Sequence, residues 1–162
     1  MPKPGMQPWL WHDNGLLPVT HRRSLQAPRR GAPPIPMNLL ALDSSTDTLS
    51  IAVARADQRW LHSGAGGAQA SSQLLPAVRT LMADAGLGFD ALDAIVFGRG
   101  PGSFTGLRTA CAISQGLAFA ARNGQGVPVL PVDTLMAVAE EARLQHGVTQ
   151  VMVCMDARMD EV

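Results

Sequence analysis

A chain of 162 residues with 46% hydrophobic content is one domain by length and holds enough apolar side chain for one ordinary core. Thirteen Lys and Arg balance thirteen Asp and Glu, so no overall basic field exists to hold nucleic acid by counterion release, and an RNA partner would need a local patch or a second protein. Cys111 and Cys154 lie in apolar segments without a Cys-x-x-Cys pair, which suits core thiols in a reducing, cytoplasmic setting, and no apolar run reaches the roughly 20 residues that span a bilayer.

Composition breaks near residue 36. Residues 1–36 hold eight of the twelve prolines and the basic residues Lys3, Arg22, Arg23, Arg29 and Arg30 against a single acid, Asp13. Residues 37–162 keep eight basic and twelve acidic residues, a net of about −4. Prolines fix φ and remove donors, so neither a helix nor a sheet ladder runs through the first stretch, which reads as disordered. It has no apolar core of a secretory signal, and its prolines argue against an amphipathic transit helix. Two readings stand: an extension on a body that begins at Met37, or a basic tail that touches RNA.

From Met37 the pattern is regular. Asn38–Leu42, ending at Asp43, and Leu49–Ala54 are apolar runs joined by the polar string Ser44 to Thr48, which predicts a hairpin. A third strand is expected at Arg59–His62, broken by the glycine stretch Gly64 to Gly67. Ser72 to Ala85 places Leu74, Leu75, Val78, Leu81 and Met82 at helical spacing, with Gly86 as the stop. Ala94–Phe97 reads as a buried strand, Thr105–Arg122 as a helix, Val127–Val132 as a strand, Leu135–Leu144 as a helix and Gln150–Met155 as a strand. Three antiparallel strands followed by alternating helices and strands make an α/β domain with a mixed sheet.

None of the four histidines has a metal-ligand spacing, and there is no His-Glu-x-x-His and no Gly-x-Ser-x-Gly elbow. Two stretches could carry chemistry. Asp43-Ser44-Ser45-Thr46-Asp47-Thr48 sits where one strand turns into the next, where a carboxylate can orient a metal-bound water and turn hydroxyls can hold phosphate oxygens. The same residues are also ordinary turn formers that bond their own backbone. The loop Gly98 to Arg108 lies between a strand and a helix, the setting in which helix-start amides bind phosphate, with Gly98, Gly100, Gly102 and Ser103 as its candidates. Yet it lacks the Walker spacing, Ser103 takes the third glycine position of a dinucleotide fingerprint, and Pro101 withdraws an amide.

The following helix is almost without bulk. Gly106, Ala110, Ser114 and Ala118 recur every fourth residue, and Ala112, Gly116, Ala120 and Ala121 keep the other sides small. Such a helix fits either tight packing on its own sheet or one face on the sheet and one on a partner helix, with Leu75 and Val78 of the preceding helix beside it.

Met37 to Thr46, the eleven-residue loop Gly98 to Arg108, Gln115-Gly116-Leu117-Ala118, Pro131-Val132-Asp133-Thr134-Leu135 and Asp156-Ala157-Arg158-Met159 together resemble the TsaB (YeaZ) family. The resemblance implies an actin-like, sugar-kinase-like ATPase lobe of the ribonuclease H-like class, in residues 37–162. It implies a scaffold subunit, without catalytic activity of its own, in the complex that makes threonylcarbamoyladenosine beside the tRNA anticodon. Implied partners are the catalytic paralogue TsaD and the ATPase TsaE, or a second copy through the same helices, with tRNA met only through the complex and ATP or ADP, if any, at the interface. The paralogue's His-x-x-x-His metal pair has no counterpart in Ala68 to Gln73, so neither metal binding nor peptidase activity is expected. Asp160 stands where the family has Gly, and the family continues into a second lobe where this chain stops at Val162. The alternative is a nucleotide-dependent hydrolase or transferase of the same fold acting alone through Asp43, Thr46 and the glycine loop.

Overall fold

The computed structural model describes residues 36–155. The expected disorder of the Pro-rich stretch, the Asp156–Met159 motif and the Asp160 departure lie outside the described residues. Within them the chain runs β1 (Asn38–Asp43), β2 (Thr48–Arg55), β3 (Gln58–Ala65), α1 (Ala70–Asp84), β4 (Ala94–Gly98), α2 (Phe104–Ala120), β5 (Val129–Val132) and α3 (Thr134–His146). Five strands form one mixed sheet in the order β3-β2-β1-β4-β5. β1, β2 and β3 are antiparallel neighbours, whereas β4 and β5 extend β1 in parallel.

Alternation along the strands sorts the two faces. Leu40 stands opposite Val53 and Leu42 opposite Ile51, and all four are buried on one face. Ile95 joins them from β4 beside Leu40. α1 lays Leu74, Val78, Leu81 and Met82 on this face, where burying a side chain of that size contributes about 1.5–3 kcal/mol. α2 packs beside α1 and against β4 and β1. α1 stops where expected, at Gly86, whose φ of +59° lets the Leu87 amide reach back to the Met82 carbonyl. Among the described residues, no helix is long and apolar enough to cross a membrane.

Three expectations change. β3 does not end at His62 but runs to Ala65, because Gly64 and Ala65 pair with Leu49 and Thr48; the break falls at Gly66, whose amide donates to the Asp47 carbonyl. Gln150–Met155 is not a strand: the sheet's ladder ends at β5, and an extended segment without a hydrogen-bonded neighbour forms no ladder. Cys154 is consequently exposed rather than a core thiol, while Cys111 is half-buried on α2.

Ser114 shows what burial of a lone hydroxyl costs. Its Oγ is fully enclosed and has no hydrogen-bond partner. Ser114→Ala removes that desolvated group and adds helix propensity, so thermal unfolding should show a gain of about 1 kcal/mol, a few degrees in Tm. A loss of stability would mean that the hydroxyl is bonded in solution.

Candidate functional site

The strand-end turn and the glycine loop, read separately in the sequence, meet as one structure. Asp43 ends β1, and its Oδ1 accepts the Ser45 amide at 2.8 Å and the Ser45 hydroxyl at 2.6 Å. The Ser44 hydroxyl crosses to donate to the Gly106 carbonyl at 2.8 Å. The Ser103 amide returns the link by donating to the Ser45 carbonyl at 2.6 Å. Two glycines make this approach possible. A Cβ on Gly98 would lie 1.9 Å from Asp43 Oδ2, and one on Gly106 would lie 1.7 Å from the Ser44 carbonyl oxygen. Gly102 rests on Ser45, and Gly100 is buried against Leu107.

These bonds decide the fit of a phosphate. Ser44 and Ser45 are buried and spend their hydroxyls inside the chain. The Arg99, Ser103 and Thr134 amides are equally spent, on the Val132, Ser45 and Gly100 carbonyls. Of the hydroxyls in the turn Thr46 and Thr48 are exposed, and that of Thr46 bonds the Thr48 backbone. The geometry therefore gives the turn and the loop a seating role: they pin the start of α2 to the end of β1, and this role occupies the Ser44 and Ser45 hydroxyls. Among the described residues no three His, Cys, Asp or Glu side chains converge.

At the far side of the loop, Arg99 grips Asp133, the residue before α3, with Nε at 2.8 Å and Nη2 at 3.0 Å. The bonded guanidinium holds the Asp133 carboxyl below its ordinary value of 3.8 and is itself raised. A depressed carboxylate lends its stability above the ordinary value and loses it as pH falls through the depressed one. Both side chains are open to solvent, so the contribution is small. The pair ties the glycine loop to the end of β5.

The interface expected at Gly106, Ala110, Ser114 and Ala118 must be corrected. All four are buried within the chain, because this stripe is the side on which α2 meets the sheet and the Ser44 turn. Val78 is likewise core, whereas Leu75 stays at the surface. The outward side of α2 carries Phe104, Arg108, Ala112, Gly116 and Phe119, with the two phenylalanines 67% and 81% exposed. Arg108 lies over the Phe104 ring at 3.8 Å. Beside it α1 exposes Leu75, Arg79 and Ala83. Half-buried Leu107, Ile113 and Leu117 flank the inward stripe, a signal in the sequence that marks which small face is covered.

A five-stranded 3-2-1-4-5 sheet with α1 and α2 on one face is an actin-like, ribonuclease H-like lobe, and residues 53–162 match the family described as TsaD, tRNA N6-adenosine threonylcarbamoyltransferase. The chain is 40% identical over 126 residues to the tRNA threonylcarbamoyladenosine biosynthesis protein TsaB of Haemophilus influenzae, covering 78% of this chain and 52% of that protein. The Escherichia coli protein of the same name is 36% identical over 126 residues, at 78% and 53% coverage. YeaZ from Pseudomonas aeruginosa superposes with a TM-score of 0.70 at 43% identity, over 76% of this chain and 56% of that one. The chain belongs to the TsaB (YeaZ) family, and it spans about half the length of the curated relatives it matches.

Proposed function

We propose that this chain is a TsaB-type pairing subunit for the assembly that makes threonylcarbamoyladenosine in tRNA, and that it works by docking rather than by chemistry. The observation that carries this reading is the outward side of α1 and α2. Large apolar residues, Leu75, Phe104 and Phe119, stand exposed around the small Ala112 and Gly116, a relief into which another helix can settle. The partner is the TsaD-type catalytic paralogue, with a second copy of this chain competing for the same face and TsaE joining the pair; tRNA is reached through the assembly. Because the buried Ser44 and Ser45 hydroxyls are spent internally, ATP or ADP in such an assembly would sit between subunits rather than on this turn alone.

Sedimentation of the chain mixed with the TsaD-type protein should show a one-to-one complex. The isolated chain, given ATP and magnesium, should release no phosphate. Steady release would favour a hydrolase working through Asp43 and Thr46, and absence of pairing would remove the scaffold role.

A further inference from the structure

Of the seven arginines among the described residues, five are spent within the chain. Arg55 bonds the Ala85 carbonyl, Arg59 the Ala56 and Gln58 carbonyls, Arg99 the Asp133 carboxylate, Arg122 the Leu92 carbonyl and Asp93, and Arg143 the Glu140 carboxylate. The two that donate no hydrogen bond and join no ion pair, Arg79 and Arg108, both stand on the outward side of α1 and α2, among the exposed Leu75, Phe104 and Phe119. Arg108 lies over the Phe104 ring, a contact that uses none of the guanidinium's N–H donors. The outward side carries no carboxylate to match them. α2 contains no acid, and Asp84, the acid of α1, follows Arg79 by five residues and so lies about 140° away round that helix.

This distribution discriminates between the two occupants of the pairing face. A two-fold dimer sets one patch against itself, so each guanidinium meets another guanidinium or a neutral side chain of the second copy. Covering a charge in that way strips its water without supplying a partner, and like charges brought together repel. A carboxylate matches the planar guanidinium, because it accepts two N–H groups at once. We propose that Arg79 and Arg108 select the partner: they disfavour a second copy of this chain and call for carboxylates on the facing helices of the catalytic paralogue. The apolar Leu75 and Phe119 beside them favour a protein over RNA as the source of that negative charge, since a phosphate backbone is held by a run of basic groups rather than by two among apolar side chains. The selection rests on the pairing function and adds to it the chemistry of the partner.

The test is sedimentation of the 162-residue chain, alone and mixed with the TsaD-type protein, at two salt concentrations. Going from about 0.05 M to about 0.5 M shortens the reach of charge roughly threefold. Pairing with the paralogue should weaken roughly tenfold at the higher salt, while self-association should strengthen. Arg79→Glu combined with Arg108→Glu should keep the circular dichroism and Tm of the chain, because both side chains are exposed. That variant should lose tenfold or more in affinity for the paralogue, yet bind the unaltered chain more tightly than either binds its own copy. Arg79→Gln and Arg108→Gln, which remove charge without reversing it, should each raise self-association and lower mixed pairing. A mixed complex that neither salt nor these substitutions move would overturn the selection and leave the pairing function standing. No association with the paralogue at either salt would remove the pairing function, and the selection with it. Self-association as tight as mixed pairing at low salt would also overturn the selection. So would a complex of the chain with tRNA alone that the charge reversal abolishes, by making the occupant a nucleic acid.

Discussion

Gly106→Ala should destabilise this chain severely, whereas Gly116→Ala, ten residues further along the same helix, should stabilise it. A methyl on Gly106 meets the Ser44 carbonyl oxygen at 1.7 Å, and backbone cannot rotate away as a side-chain tip can. Relieving the clash means lifting α2 off the turn, which also stretches the bond from the Ser44 hydroxyl to the Gly106 carbonyl. Overpacking of this kind costs about 1–3 kcal/mol, and the lost hydrogen bond about 1 more. The helix propensity of alanine returns only about 1 kcal/mol. At Gly116 nothing lies within 4 Å, so propensity acts unopposed. With about 4 °C in Tm for each kcal/mol, the difference of about 2–4 kcal/mol should separate the two variants by roughly 8–16 °C in thermal unfolding. Equal shifts would mean that α2 is not pinned at Ser44.

That contact also explains which parts of the molecule were legible in the sequence. β1 and β2 follow from their apolar runs, and in β2 the larger Leu49, Ile51 and Val53 alternate with Ser50, Ala52 and Ala54 and so mark the buried face. α1 is equally plain, from Leu74, Val78, Leu81 and Met82 to the glycine that ends it. The turn at Asp43 and the loop at Gly98 were visible as unusual, and both admitted a phosphate reading. Their relation was not visible, because the bond from Ser44 to Gly106 joins residues 62 apart and no local pattern encodes it. The same gap misassigned the small stripe of α2. Close approach to a sheet and close approach to a partner helix both call for Gly, Ala and Ser at every fourth position, so composition alone does not say which side faces out. Gln150–Met155 failed for a different reason: its residues favour a strand, but a strand also requires a hydrogen-bonded neighbour, and this segment pairs with none of the five strands.

The reassigned face yields the decisive contrast for function. Ala110→Trp and Ala112→Trp add the same bulk to the same helix two residues apart, and they should fail in different assays. Ala110 is fully buried against the sheet, so an indole there has no space, and circular dichroism should show loss of the native fold or a large drop in Tm. Ala112 faces out between Phe104 and Phe119, so the folded chain should tolerate the ring with its Tm nearly unchanged. In the complex that ring occupies the space a partner helix needs. A clash costing about 1–3 kcal/mol weakens pairing roughly five- to 150-fold, and two-fold symmetry applies it twice in a homodimer. Phe119→Asp gives an independent check, because it removes an apolar contact instead of adding bulk and should weaken the same equilibrium. Sedimentation of each folded variant with the TsaD-type protein reads the outcome. Normal pairing by both Ala112→Trp and Phe119→Asp would show that the outward face of α2 is not the interface, and the scaffold role would then have to rest on another surface.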